Sequence, residues 1–217
     1  ATYDQDMLLD PSIPIAWRHI NKLAGCGALG DLGSHLLSIS QFIMGDITKV
    51  NAVATTVFPK RPKSAGSTEM VDVENEDIMT FMAEYANGAI GQIACSRVAT
   101  GRKNYLTYEI QGTKGSVRYD LERMGEVQVY FQSDNERDRG FRTVLLNPLM
   151  KGYSAFQPAG GISIAYNDMK ILEVHALFDA ITNGADYVTD FEFGYKIDRT
   201  VAAVIESSKT HEWVDVK

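Results

Sequence analysis

The order of apolar and polar positions divides the chain into blocks of different period. From Asp31 to Met44, the residues Leu32, Leu36, Ile39, Phe42 and Ile43 recur at helical spacing, and Gly45 supplies a stop. The middle of the chain switches to the two-residue period of strands, at Val50 to Phe58, Ile78 to Tyr85 and Ala89 to Ser96. Asn87-Gly88 between the last two predicts a hairpin, because both residue types tolerate positive φ. Turns at Gly101-Arg102-Lys103-Asn104 and Gly112-Thr113-Lys114-Gly115 set off strands near Tyr105–Gln111 and Ser116–Leu121. Further strands are predicted near Val127–Gln132 and Phe141–Leu146, with a charged hairpin tip at Asp134 to Arg139. Residues 1–6 read as a short strand, and Pro59 to Glu74 as a polar, exposed loop. Helical spacing returns at Met169, Leu172, Ala176, Leu177, Ala180 and Ile181, ending at Gly184. A last helix carries Phe193, Ile197, Val201, Val204 and Ile205, and Trp213-Val214 reads as a final short strand.

Sequence-adjacent strands joined by short turns pair antiparallel. The expected fold class is therefore α+β: one open, largely antiparallel sheet, with helices from both ends of the chain packed on one face. Residues 1–217 are expected to form a single domain. Strands such as Ile78-Met79-Thr80-Phe81-Met82 and Ile90-Gly91-Gln92-Ile93-Ala94 put apolar residues at alternating positions. If helices cover one face, the other needs a partner, which predicts a homo-oligomer, dimer or tetramer, through the open sheet face.

Composition narrows the function classes. The net charge is −7 with both signs scattered, which disfavours nucleic acid and anionic membrane surfaces. Lys60-Arg61-Pro62-Lys63, the densest basic run, is expected to be solvated loop. No apolar run approaches the ~18 residues of a membrane span, and the polar, acidic start reads as mid-protein sequence rather than a signal peptide. Two cysteines, Cys26 and Cys95, without metal-type spacing, suit a reducing compartment such as the cytoplasm.

Gly25-Cys26-Gly27-Ala28-Leu29-Gly30 is a literal G-x-G-x-x-G. A dinucleotide fingerprint follows a buried strand and precedes an acidic residue at the end of a second strand; neither surrounds this run, so no cofactor-binding residue is expected in the chain. Asp31 and His35 carry more chemistry. If Asp31 opens the helix, the two stand one turn apart on one face. A carboxylate beside an imidazole fixes its tautomer and raises its basicity, as a general base acting on a hydroxyl requires. The plainer reading, a capping Asp and a packing His, stays open at this stage. His19, His175 and His211 show no ligand spacing, so no metal site is expected.

The run Trp17-Arg18 … Ala24-Gly25-Cys26-Gly27-Ala28-Leu29-Gly30-Asp31-Leu32-Gly33-Ser34-His35 resembles the C-terminal, dihydrodipicolinate-reductase-like domain of the Gfo/Idh/MocA oxidoreductases, relatives of glucose–fructose oxidoreductase and inositol dehydrogenase. The likeness continues at Asn75-Glu76-Asp77, Ser96-Arg97 … Gly101-Arg102, Glu109 to Ser116, Tyr166-Asn167-Asp168-Met169-Lys170 and Asp190-Phe191. It implies a substrate-binding, catalytic and oligomerisation domain of an NAD- or NADP-dependent enzyme. That enzyme would oxidise a secondary alcohol of a cyclic sugar or polyol, inositol- or anhydrosugar-like. The cofactor would be bound mainly by an N-terminal Rossmann domain with no counterpart in these residues. Without that domain, the chain alone is expected to be inactive.

By the resemblance, Asp31 and His35 match the family's catalytic pair, with His35 as proton acceptor. Trp17 would offer an apolar face to a sugar ring and Arg18 hydrogen bonds to hydroxyls, with Tyr166, Asn167 and Lys170 on the opposite wall. The alternatives are a core Trp17 and an ion-paired Arg18, and Arg97 serves either the site or a subunit interface. Relatives often carry a histidine in the glycine-rich loop that here reads Gly160-Gly161-Ile162-Ser163, so the resemblance does not specify the sugar. A different function class, a non-catalytic sugar-binding or assembly module, also fits the scaffold.

Overall fold

The computed structural model describes residues 1–150 and 152–217, which form two compact units: Ala1–Leu106 with Phe191–Lys217, and Thr107–Asp190. The first unit begins with β1 (Thr2–Asp4), a 3-10 turn (Trp17–His19), α1 (Asn21–Ala24), a π-helical turn (Leu29–Gly33) and α2 (Ser34–Met44). Next come β2 (Ile47–Thr55), a small hairpin of β3 (Lys60–Pro62) and β4 (Met70–Asp72), β5 (Ile78–Tyr85) and β6 (Ile90–Ser96). The second unit holds most of β7 (Tyr105–Gln111), then β8 (Gly115–Asp120), β9 (Glu126–Phe131), β10 (Arg142–Leu145) and α3 (Tyr166–Asn183). The chain returns to the first unit for α4 (Phe191–Thr210) and β11 (Val214–Asp215).

In the first unit the strand order is β1-β6-β5-β2-β11. Burial along β5 alternates residue by residue, so Met79, Phe81, Ala83 and Tyr85 point inward while Thr80, Met82 and Glu84 face out. Leu36 and Leu37 of α2 and Ile197, Ala203 and Val204 of α4 close this core against Val50, Ala52, Ile93 and Cys95. A fully buried side chain of this size contributes about 1.5–3 kcal/mol, so this packing dominates the unit's stability. Gln41 of α2 donates to Thr200 Oγ1 of α4 (3.2 Å), and Ser207 Oγ of α4 accepts from Ala52 N–H of β2 (2.9 Å). These bonds fix the rotation of the helices on the sheet, which apolar contact alone leaves loose.

Pairing is antiparallel throughout except at β1, which runs parallel to β6 with Thr2, Tyr3 and Asp4 opposite Ala94, Cys95 and Ser96. Neighbours in sequence could not predict that pairing, because the two strands lie some ninety residues apart. At the β5–β6 turn only Gly88 takes a positive φ (+85°). Asn87 instead accepts from Ala89 N–H through Oδ1 (3.0 Å) and donates to the Met44 carbonyl (2.9 Å), tying the hairpin to the end of α2.

The expected exposed loop over Pro59–Glu74 is a hairpin, and Arg61 within it is fully buried. Its guanidinium donates to the carbonyls of Leu8 (2.5 Å), Asp10 (2.8 Å) and Ile13 (3.4 Å) and lies over the Phe58 ring (5.2 Å). The basic run is therefore not solvated at its second position: Arg61 satisfies the backbone of the segment that leads to Trp17.

The second unit is an antiparallel meander in the order β10-β9-β8-β7. Gly184, in the left-handed region (φ +67°), ends α3 where its sequence placed the stop. The apolar positions of α3 are not buried, however: Leu177 is 42% and Ile181 69% exposed. Helical periodicity reports an apolar stripe but not what covers it. Among the described residues no helix is long and apolar enough to cross a membrane.

Substituting Arg61→Leu strands one buried and two partly buried carbonyls, and the structure should lose roughly 1–3 kcal/mol, read as a lower urea midpoint with unchanged slope. His19, also buried, titrates in a definite direction. Burial first, then the charges of Arg61 and Arg97, push its imidazole below the ordinary range. The unfolded chain therefore takes up a proton near pH ~6.5 that the fold resists, so stability is full above that pH and falls below it. The slope should be positive and smaller than that of one full proton. A His19→Gln variant should flatten the fall between pH 7.5 and 5.5 in thermal melts; an unchanged slope would remove His19 from the acid response.

Candidate active site

The glycine-rich run ends in a helical start whose donors are already taken. Gly27 N–H donates to Glu76 Oε2 (2.8 Å) and Leu29 N–H to Glu76 Oε1 (2.9 Å), while Ala28 N–H reaches the Glu76 carbonyl (3.0 Å). Gly27 is glycine for a steric reason: a Cβ there would stand 1.9 Å from the Glu76 carbonyl oxygen. The amides that a dinucleotide pyrophosphate would need are thus spent on a carboxylate. The residues present do not fit that group, and the G-x-G-x-x-G pattern here serves close packing.

Asp31 does not open the helix. Its N–H donates to the Gly27 carbonyl (3.1 Å), so the helical path begins earlier, and Asp31 sits inside the π-helical turn Leu29–Gly33. Ser34 N–H reaches back five residues to Leu29 to close it. Both the expected Asp31 start and the alternative of a capping Asp31 are corrected: Glu76 is the cap. A single π-turn widens the helix and re-aims the side chains across it, an arrangement frequent at functional sites.

Asp31 Oδ2 lies 3.5 Å from Arg18 Nε, an ion-pair distance too long for a good hydrogen bond. With both side chains partly in solvent the pair adds about 0–1 kcal/mol, so its role is orientation. Arg18 Cζ also lies over the Trp17 ring, 4.5 Å from its centroid, and Trp17 itself is 52% exposed. Trp17 is therefore no core residue, and Arg18 is ion-paired yet still presented at the surface. The 3-10 turn that carries them is held from below, where Asn75 donates to the Arg18 carbonyl (2.9 Å) and His19 Nδ1 accepts from Ala16 N–H (2.9 Å).

His35, in the first turn of α2, is exposed, and its ring meets the edge of Tyr3 at 5.8 Å between centroids and 71° between planes. Tyr3 is buried and anchored, because its hydroxyl donates to Asn104 Oδ1 (2.6 Å), which also accepts from Gln5 (2.8 Å). The first unit thus brings Trp17, Arg18, Asp31 and His35 onto one 3-10 turn and one adjoining helix start. Tyr166, Asn167 and Lys170 are exposed on the first two turns of α3 in the second unit. Lys170 is already engaged: Glu173 accepts from its ammonium at 2.7 Å, which raises its pKa, and the charge lies 5.6 Å from the Tyr166 ring centroid.

Sequence reasoning missed Glu76, Tyr3 and Asn104, and left Arg97 between two roles. Arg97 is 1% exposed, donates to the Glu76 carbonyl (2.9 Å) and faces Asp77 Oδ1 at 3.6 Å, so it belongs to the support of this site. The available signal was the Asn75-Glu76-Asp77 cluster, three polar residues directly before a strand that begins the core. Burial, then the Glu76 charge, pushes the Cys26 thiol up to about 11, and burial raises Cys95 further, opposite to the shift that activates a thiolate. Among the described residues no three His, Cys, Asp or Glu side chains are grouped to hold a metal ion.

Comparison with known proteins places this fold. The model of the GFO/IDH/MocA C-terminal domain matches residues 1–118. Levoglucosan dehydrogenase of Pseudarthrobacter phenanthrenivorans is 39% identical over 228 residues, covering 99% of this chain and 58% of its own length. D-apiose dehydrogenase of Rhizobium rhizogenes is 30% identical over 102 residues, 44% of this chain and 26% of its own length. A structure of levoglucosan dehydrogenase in complex with NADH and levoglucosan superposes with a TM-score of 0.93 at 39% identity, covering 100% of this chain and 57% of that one. The chain therefore spans less than three fifths of the length of these relatives. On the matched domain and a dehydrogenase aligned along almost the whole chain, this protein belongs to the GFO/IDH/MocA oxidoreductase family.

Proposed function

We propose that this chain is the substrate domain of an NAD- or NADP-dependent dehydrogenase that oxidises a secondary alcohol of a cyclic sugar or polyol, inositol- or anhydrosugar-like, by hydride transfer. The observation that carries the reading is the exposed His35 on a clamped helix start, one turn after an Asp31 oriented by Arg18, with the Trp17 face beside them. The names of the relatives, levoglucosan dehydrogenase and D-apiose dehydrogenase, support the sugar class. The cofactor is bound mainly by a region beyond these 217 residues, because the one glycine run that resembles a phosphate loop has its amides on Glu76. The 217 residues alone would then not turn over.

The chain's own part is proton transfer and placement. When a carbinol carbon loses hydride, its hydroxyl proton must leave in step, and a base within hydrogen-bond reach lowers that barrier. His35 takes the proton, and Asp31 sets the local charge through which the resulting imidazolium is tolerated. Trp17 offers an apolar surface to the C–H face of the ring, as apolar walls do in small-molecule sites, and Arg18 donates to hydroxyls. The two unpaired cysteines support a reducing compartment, the cytoplasm. The outward side of the first sheet, with Val53 (59% exposed), Met82 (46%) and Ile90 (85%), is the face through which copies of the protein associate as a dimer or tetramer.

Full-length protein assayed with a panel of cyclic sugars and polyols, with NAD and NADP, should show turnover. His35→Ala should lower kcat by about 100- to 10,000-fold with a smaller change in KM, and Asp31→Asn should cost less, because the base remains. A His35→Ala enzyme within about threefold of wild type would leave His35 a packing residue. Light scattering on the full-length protein should give a dimer or tetramer, and Met82→Glu with Ile90→Glu should shift it toward monomer; a wild-type monomer at high micromolar concentration would sink the sheet-face assignment.

A further inference from the structure

We infer that Glu76 is a positioning residue for the proton-transfer step: it sets the helix start that carries Asp31 and His35, although it lies forty-seven and forty-nine residues from the amides it binds. The inference rests on the reading of His35 as proton acceptor. Its ground is a convergence of contacts on one residue. The two carboxylate oxygens each accept from a different amide of the same turn, at 2.8 and 2.9 Å, and the backbone carbonyl accepts from the amide between them at 3.0 Å. The absent Cβ of Gly27 lets the backbones close to this distance. With both oxygens so engaged, Glu76 acts through the turn and not on a substrate.

Glu76 is itself held from the end of the sheet. Arg97, directly after β6, donates to its carbonyl at 2.9 Å, and Arg97 N–H donates to the Asp77 carbonyl at 2.9 Å. Asp77, directly before β5, donates its N–H to Thr55 of β2 (2.9 Å) and accepts from Val57 N–H (2.8 Å) and Phe58 N–H (3.2 Å). Three strand ends therefore meet at Asp77 and Arg97, and Glu76 transmits that fixed frame to the π-turn. Ordinary helix caps come from the residue next to the helix and move with it. A cap supplied by the sheet instead locates the helix start in the frame of the core. A base must stand within hydrogen-bond reach of the proton it takes, about 2.6–3.2 Å between heavy atoms, and a displacement of about 1 Å costs up to about 100-fold in rate.

The test uses the full-length enzyme and a double-mutant cycle with His35. In Glu76→Gln one oxygen becomes a donor facing an amide donor, and in Glu76→Asp the carboxylate is one methylene short of spanning both amides. Each should lower kcat by about 10- to 100-fold with KM for the sugar within about threefold, as misplacement of a reacting group does. In the His35→Ala background the same substitutions should cost less than about twofold more, since the turn then has no base to place. Full additivity in that background, or wild-type kcat in both Glu76 variants while His35→Ala is impaired, overturns the inference and leaves the proton-acceptor reading standing. An active His35→Ala enzyme instead removes the reading on which the inference rests. Hydrogen exchange of the wild-type protein supplies a check independent of how the variants fold: the Gly27 and Leu29 amides should be protected, and rapid exchange at both overturns the assignment.

Discussion

A helix start fastened to the end of a sheet by one carboxylate is the contact on which the rest of the site depends. Gly27, Ala28 and Leu29 spend their amides on Glu76, and everything downstream, the π-turn, Asp31 and His35, inherits its position from there. The contact is short because Gly27 has no side chain, and it is stiff because Asp77 and Arg97 bind Glu76 into the ends of β2, β5 and β6. It also decides the meaning of the glycine run. The same pattern that cradles phosphate elsewhere is here closed by the protein's own anion.

Beneath this contact lies a set of buried ionisable groups, His19, Arg61, Asp77 and Arg97, each at most 1% exposed. Burying charge is costly unless hydrogen bonds compensate, so such groups are weak sources of stability. Their value is geometric. Arg61 collects three backbone carbonyls of the segment before Trp17, and Asp77 collects two amides after β2. Irregular backbone that would otherwise wander is made to follow one path, and the 3-10 turn with Trp17 and Arg18 sits on it. The exposed groups above are loosely paired with one another and remain available to a polar ligand, while those below are locked.

Such a division, accessible polar groups on a hydrogen-bonded base, suits the proposed hydroxyl-binding site. A sugar presents many similar hydroxyls, and selectivity among them comes from donors and acceptors fixed in space rather than from apolar area. In the proposed reading the Trp17 face would supply the apolar share, and Arg18, shared between Trp17 and Asp31, is held in direction without being buried.

Much of the architecture was legible in the chain. The alternation of Ile78–Tyr85 is that of a strand with one face in the core, Gly184 and Gly45 stop their helices, and the periodic Ile197, Val201 and Val204 belong to a helix on the sheet. These are local rules: side-chain direction repeats every two or 3.6 residues, and a few residue types end each element. The likeness in the Trp17 to His35 run also located the candidate site. Contacts between distant segments were not legible. That β1 pairs parallel with β6, that Arg61 turns inward, that Glu76 and not Asp31 caps the helix start, and that the stripe of α3 stays open depend on which segments the folded core brings together. A lone Arg or Glu in a polar stretch carries no periodicity to betray its partner, because its hydrogen bonds are satisfied across dozens of residues rather than within a turn. Local pattern by itself determined the elements, and the resemblance named the candidate residues; only tertiary structure decided their frame, since hydrogen-bond satisfaction in a buried interior is a property of the whole packed chain.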